Sequence, residues 1–151
     1  MATLETLRKK IEEYKLKYRK ESLPPIEEGQ IYSLFNRKIT IKGTSPSLFW
    51  PDTWPHSNSR GIYAIFSHDK LLYIGKASQQ PIGYRLSSYF RYGEEKNICV
   101  TAPGDVWSNP PTHVVTWAVP EDMFFEASAL EEFLIKELAT ELPDNTAGKN
   151  A

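Results

Sequence analysis

The chain has 151 residues, the length of one ordinary domain, and its 40% hydrophobic and 13% aromatic content suffices for a core. A formal net charge of -1 excludes a protein whose whole surface attracts polyanions, although a local basic patch would still serve a groove. The single cysteine, Cys99, excludes an intramolecular disulfide, and with no long apolar run and no secretory h-region the expectation is a cytoplasmic protein with no membrane contact.

Leu4, Leu7, Ile11, Tyr14 and Tyr18 recur at helical spacing, which predicts one amphipathic helix ending before Leu23-Pro24-Pro25. Its apolar stripe needs a cover, either the rest of the domain or a second copy of the chain, so a homodimer through this helix is one expectation. Arg8, Lys9, Lys10, Lys15, Lys17, Arg19 and Lys20 offer an alternative use as a phosphate-contacting surface, diluted by Glu5, Glu12, Glu13 and Glu21. Pro24 to Arg60 is rich in turn residues, with Ile39-Thr40-Ile41 as a short strand. Phe49, Trp50 and Trp54 are concentrated before its end; packing onto the domain is favoured over base stacking.

Two apolar runs, Ile62 to Phe66 and Leu71 to Ile74, flank Ser67-His68-Asp69-Lys70, a β-hairpin pattern. Alternation along strands puts Tyr63 on the face of Ile65, and Tyr73 on the face of Leu71. His68 is a turn residue. A helix is expected from about Pro81 or Gly83 to Tyr92, with Arg85 and Tyr89 one turn apart on one face. Gly93 to Pro111 reads as a long irregular loop carrying Trp107, which either packs beneath it or touches a ligand. A third strand follows at Thr112 to Val119. A last helix spans about Glu121 to Glu141, with Leu130, Leu134, Leu138 and Leu142 as its buried stripe. On that helix Glu131 projects near the apolar face and Glu132 away from it, and a carboxylate so placed needs a partner or a cation.

Gly61-Ile62-Tyr63, Tyr73-Ile74-Gly75-Lys76-Ala77, the Arg85-Leu86-Ser87-Ser88-Tyr89-Phe90-Arg91 run and the Leu130-Glu131-Glu132-Phe133-Leu134-Ile135-Lys136 helix stand in the order of the GIY-YIG nuclease family. The chain resembles that family from Gly61 to Asn145 and is similar to the N-terminal nuclease domain of the bacterial excision-repair endonucleases within it. The resemblance implies an α+β fold, a small three-stranded antiparallel sheet flanked by helices. Residues 60-151 would be the nuclease domain and residues 1-59 an added N-terminal helix and Pro-rich, aromatic-rich arm packing on it.

It also implies a metal-dependent DNA endonuclease whose partner is DNA and whose cofactor is Mg²⁺, with Mn²⁺ as a substitute and no small-molecule cofactor. Glu131 is the implied sole protein ligand of the metal, a role Mg²⁺ accepts because it keeps most of its waters. Arg85 would offer its planar fork to the phosphate. Tyr63 is the implied general base, helped by Lys76, since a nearby cation favours phenolate. Tyr73 and Tyr89 would position water or phosphate. Asn145, after Pro143, is the implied keeper of the site's geometry, with Asn150 a weaker candidate for that place. The alternative expectation is a nucleic-acid- or protein-binding module with little or no catalysis that kept this fold.

Overall fold

The computed structural model describes residues 1-145, so Asn150 lies outside the described residues. Helix α1 runs Leu4–Tyr18, and it starts where Thr3 and Thr6 cap each other's backbone N–H groups reciprocally. It is followed by three two-residue strands, β1 (Glu27–Glu28), β2 (Tyr32–Ser33) and β3 (Leu48–Phe49). The hairpin is β4 (Gly61–Ser67) and β5 (Lys70–Ala77). Then come α2 (Ile82–Leu86), β6 (Phe90–Tyr92), β7 (Cys99–Thr101), β8 (His113–Ala118) and α3 (Glu126–Leu138).

The expected three-stranded sheet is only the centre of a larger one. Strands β8, β4 and β5 are antiparallel neighbours, but the full sheet has six strands in the order β3-β2-β8-β4-β5, with β1 also on β8. It is mixed, because β2 and β3 pair in parallel. The arm supplies the additional strands, each too short to leave an alternation pattern. Ile39-Thr40-Ile41 forms no strand, and only Ile41 bridges Thr44.

Alternation gives the sheet two buried faces. Ile62, Ala64 and Phe66 of β4, with Val115 and Trp117 of β8, pack beneath Leu4, Leu7 and Ile11 of α1 and Leu130, Leu134 and Leu138 of α3. The stripe of α1 is thus spent on its own domain, and the homodimer expectation loses the surface on which it rested. Tyr63, Ile65 and Val114 face the other way, onto Trp50, Trp54, Ile82 and Leu86. Trp50 and Trp54 are buried, so the arm's indoles pack rather than wait for bases.

Tyr63 does share its face with Ile65, but Tyr73 does not share one with Leu71. Ile65 pairs with Tyr73 while Phe66 pairs with Leu71, which leaves Leu72 as an extra residue in β5. That bulge flips the register, sending Leu71 to the helix-covered face with Ile74 and leaving Tyr73 beside Ile65. At the hairpin turn His68 adopts φ of 50°. Its N–H donates to Thr112 Oγ1 at 2.6 Å, and Asp69 Oδ1 accepts from Lys42 N–H at 2.6 Å.

The helix expected through Tyr92 stops at Leu86. Ser88 Oγ donates to the Arg85 carbonyl at 2.6 Å, and Tyr89 N–H turns back to the Leu86 carbonyl at 3.0 Å. A serine bonding its local backbone competes with helix continuation, and Phe90 leaves to pair with Thr101 in the separate β6-β7 ribbon. The final helix is also shorter than expected, with 3-10 turns at Glu121–Met123 and Ala139–Glu141 flanking α3.

Of the basic side chains on and after α1, most are engaged in ion pairs. Arg8 pairs with Glu28, Lys9 with Glu5, Lys10 with Glu13 and Glu137, and Lys15 with Glu12. Arg19 forms a buried pair with Glu126 at 2.7 Å, joined by the Tyr14 hydroxyl donating to the same carboxylate at 3.0 Å. This network ties the C-terminal end of α1 to the first residue of α3 and draws charge away from any phosphate-binding use of the helix.

Candidate active site

The hairpin register places Tyr63 opposite Gly75. A Cβ on Gly75 would collide with the Tyr63 phenol, so the glycine makes room for that ring across the ladder. Tyr63 is fully buried. Its hydroxyl donates to Tyr89 Oη at 2.9 Å, and Tyr89 Oη lies 3.1 Å from Tyr73 Oη. The rings of Tyr63 and Tyr73 each stand 5.7 Å from that of Tyr89. Three phenols, from β4, β5 and the turn after α2, therefore share one chain of hydrogen bonds.

Arg85, on α2, is the cation of this cluster. Burial pushes the Tyr63 phenol far above its ordinary range, Tyr89 and Tyr73 add to that, and Arg85 pulls it back. Tyr73 is pushed up in the same way, by burial and then by Tyr89, with Glu131 adding and Arg85 opposing. Tyr63 is in turn the main influence raising the Arg85 guanidinium. Arg85 Nε is buried and has no hydrogen-bond partner among the described residues.

Glu131 approaches from α3, on the helix-covered side of the sheet. It is half-buried while Glu132 is exposed, as the helical wheel requires. Burial raises its carboxyl above the usual range, Lys76 and then Arg85 draw it down, and Glu132 pushes it up. Its carboxylate thus shares an electric field with Arg85 and Tyr73 across β5, without a hydrogen bond to either among the described residues. Lys76 serves a different neighbour from the one expected. Its Nζ donates to Ser128 Oγ at 3.3 Å, and its charge falls on Glu131. The cation that favours the Tyr63 phenolate is Arg85, not Lys76.

Asn145 is buried and lies outside this charge cluster. Its Oδ1 accepts from Ile74 N–H at 2.8 Å and its Nδ2 donates to the Ile74 carbonyl at 2.8 Å. It therefore grips the backbone between Tyr73 and Gly75, which fits the expected role of holding the site's geometry. Of the expected residues, then, Tyr63, Tyr73 and Tyr89 meet directly, and Arg85 meets them through charge. Glu131 and Lys76 also meet them through charge, and Asn145 meets them through the strand.

One residue joins them that sequence reasoning left between two roles. Trp107 sits with its ring centroid 6.1 Å from those of both Tyr73 and Tyr89. Its signal was that it is the only aromatic between Gly93 and Pro111. A cleft of about 590 Å³, bordered by Arg60, Gln79, Glu121 and Phe124, contains none of the expected site residues. Burial lowers His56 and His113 below the ordinary imidazole range, and both are spent on structural hydrogen bonds, His56 to Thr116 and His113 to Thr112 and the Ile39 carbonyl. Among the described residues no group of three or more His, Cys, Asp or Glu side chains could cage a metal, and no helix is long and apolar enough to cross a membrane.

No family model, no curated protein and no solved structure matches the chain.

Proposed function

We propose that the chain is a metal-dependent endonuclease of the GIY-YIG type that hydrolyses phosphodiester bonds in DNA in the cytoplasm. The observation that carries this reading is a set of three hydrogen-bonded phenols in the field of Arg85 and of a half-buried Glu131 that has no hydrogen bond among the described residues. Each tyrosine alone would be an ordinary half-buried aromatic. A guanidinium and a desolvated carboxylate added to three phenols make a polar cluster that packing does not need.

A divalent cation fits Glu131. Burying a carboxylate without a donor is costly, and a bound cation offsets that cost. One carboxylate is enough for Mg²⁺, with Mn²⁺ as a substitute, because the remaining positions are filled by water and substrate oxygens. An ion held by Glu131 would supply charge neutralisation for the phosphate and its leaving oxygen.

The chain's own residues carry the rest. Arg85 presents its fork to the non-bridging oxygens. Tyr73 and Tyr89 hold the attacking water by their hydroxyls. Tyr63 is the general base, and its own proton must leave first, along the Tyr89–Tyr73 chain to hydroxide or buffer in the solvent that reaches the half-buried Tyr73. The phenolate then takes a proton from the water as its oxygen bonds to phosphorus and the opposite P–O bond breaks. Because Tyr63 holds its proton so firmly, this reading demands a rate that climbs with pH.

The decisive experiment is nicking of supercoiled plasmid with Mg²⁺ by the wild type, Glu131→Ala and Arg85→Ala, with folding checked by circular dichroism. Both variants should be inactive and folded. Undiminished cleavage by either would place the chemistry elsewhere.

A second reading, a binding module that does not cut, is favoured by the full burial of Tyr63, which shields the proposed base from water. Binding of duplex, branched or single-stranded DNA without any Mg²⁺-stimulated cleavage would establish it.

A further inference from the structure

Among the described residues, two buried side-chain polar atoms lack a hydrogen-bond partner, Arg85 Nε and Trp107 Nε1. Both are donors, and both belong to the same small cluster. Arg85 lies against the tyrosines, and Trp107 meets Tyr73 edge-on at 81° and Tyr89 at 61° while stacking on Phe90 at 16°. A buried N–H left without an acceptor is costly, because it has given up its hydrogen bond to water and gained none. Two such donors beside the same pair of tyrosines, Tyr73 and Tyr89, lack an acceptor, and an anion's oxygens supply one.

The loop that carries Trp107 is fastened at the residue that follows it. Ser108 donates to Asp144 twice, through its N–H at 3.0 Å and its Oγ at 2.9 Å. Asp144 N–H donates to the Leu72 carbonyl at 3.1 Å, and the next residue, Asn145, holds Ile74. One dipeptide thus grips β5 on either side of Tyr73 and fixes the residue after Trp107. The indole is held relative to Tyr73 although it is carried on a long loop.

We infer that Trp107 is a substrate-binding residue whose indole N–H, with Arg85 Nε, receives the non-bridging oxygens of a backbone phosphate. This rests on the nuclease reading for the identity of the anion as a phosphodiester. Nothing in the GIY-YIG resemblance assigns a tryptophan to this place.

The test is a titration of ¹⁵N-indole-labelled protein with a short DNA duplex, divalent cations chelated so that nothing is cut. The Trp107→Phe variant assigns the resonance and removes the donor while keeping an aromatic ring. The Trp107 indole proton should move downfield while those of Trp50, Trp54 and Trp117 stay in place, and Trp107→Phe should bind about tenfold more weakly. With Mg²⁺ restored, Trp107→His, which keeps a ring N–H, should recover part of the nicking that Trp107→Phe loses. Asp144→Ala should broaden the indole signal and slow nicking.

An unmoved Trp107 resonance at saturation, or a Trp107→Phe variant of wild-type affinity, overturns the inference. The two readings separate cleanly. If the indole shifts but the wild type never cuts, the phosphate site stands and the enzyme reading falls. If Glu131→Ala is dead and Trp107→Phe is unimpaired, the reverse holds. A duplex that does not bind at all overturns both.

Discussion

On the face of the sheet covered by α1 and α3, leucine and isoleucine side chains fill the interface, and the buried charges, Arg19 and Glu126, neutralise each other. On the opposite face the packing is aromatic and includes three hydrogen-bonded phenols, with two buried donors nearby, Arg85 Nε and Trp107 Nε1, unpaired among the described residues. Burial is similar on both sides: Leu134 and Tyr63 are each fully enclosed. The difference lies in what burial leaves unfinished. Paired charges such as Arg19 and Glu126 hold the fold, and the unpartnered polar groups, Glu131 on α3 among them, stay available to a ligand.

The sharpest way to break this comparison is to substitute once on each face. Arg85→Ala on the aromatic face should cut nicking by about 10³-fold, as losing a transition-state donor does, with a melting temperature close to that of the wild type. A plasmid assay and a thermal melt on the same sample decide it. Arg19→Ala on the helical face should do the opposite, costing about 3 kcal/mol because Glu126 is left buried and unpaired, while nicking at low temperature persists. Urea unfolding measures the first part. If Arg19→Ala also lost nicking in the folded protein, the Arg19–Glu126 pair would belong to the chemistry as well as to the fold.

Proton linkage sharpens the contrast further. The rate should rise about tenfold per pH unit from neutrality toward about pH 9, since the Tyr63 phenol is held above its free value near 10 and only the phenolate accepts a proton. Stability should respond in the other sense. Tyr63 and Tyr73 are raised in the fold, so their contribution is present below about pH 10, where unfolded phenols ionise, and is lost as pH climbs beyond it. Tyr14, pushed up to about 12 by burial, adds to that alkaline loss. A flat pH–rate profile would remove Tyr63 from the role of base.

The smallest effect expected is a gain. Glu131→Gln removes a carboxylate that burial disfavours, so it should raise the melting temperature by about 2 °C while abolishing metal-dependent nicking. A fall in melting temperature without metal would mean that the ionised carboxylate is already stabilised by Lys76 and Arg85.

Much of the aromatic face was legible in the sequence. The hairpin announces itself by apolar runs around a polar turn, and the two tyrosines follow from its register. The helical stripe fixed only that Glu131 sits beside the leucines, and its place among the candidate site residues came from the family resemblance. What escaped is what depends on a single inserted residue or on distant partners. The bulge at Leu72 leaves no mark in composition yet decides the face of Leu71. Strands of two residues are too short for any periodicity, so the arm's share of the sheet was invisible. The end of α2 turned on one serine hydroxyl. The Arg19–Glu126 pair joins residues 107 positions apart, and no local pattern anticipates it.

The outer rim of β5 has a consequence for how the protein behaves in concentrated solution. That rim is where another chain would add a strand, and much of its first half is already occupied: Leu71 N–H by the Ala2 carbonyl, Leu72 C=O by Asp144, and both groups of Ile74 by the Asn145 amide. The carboxamide acts as a one-residue false strand that closes the ladder to strangers. Asn145→Leu would uncover two backbone groups beside an aliphatic side chain, so the variant should form light-scattering aggregates well below the concentration the parent tolerates.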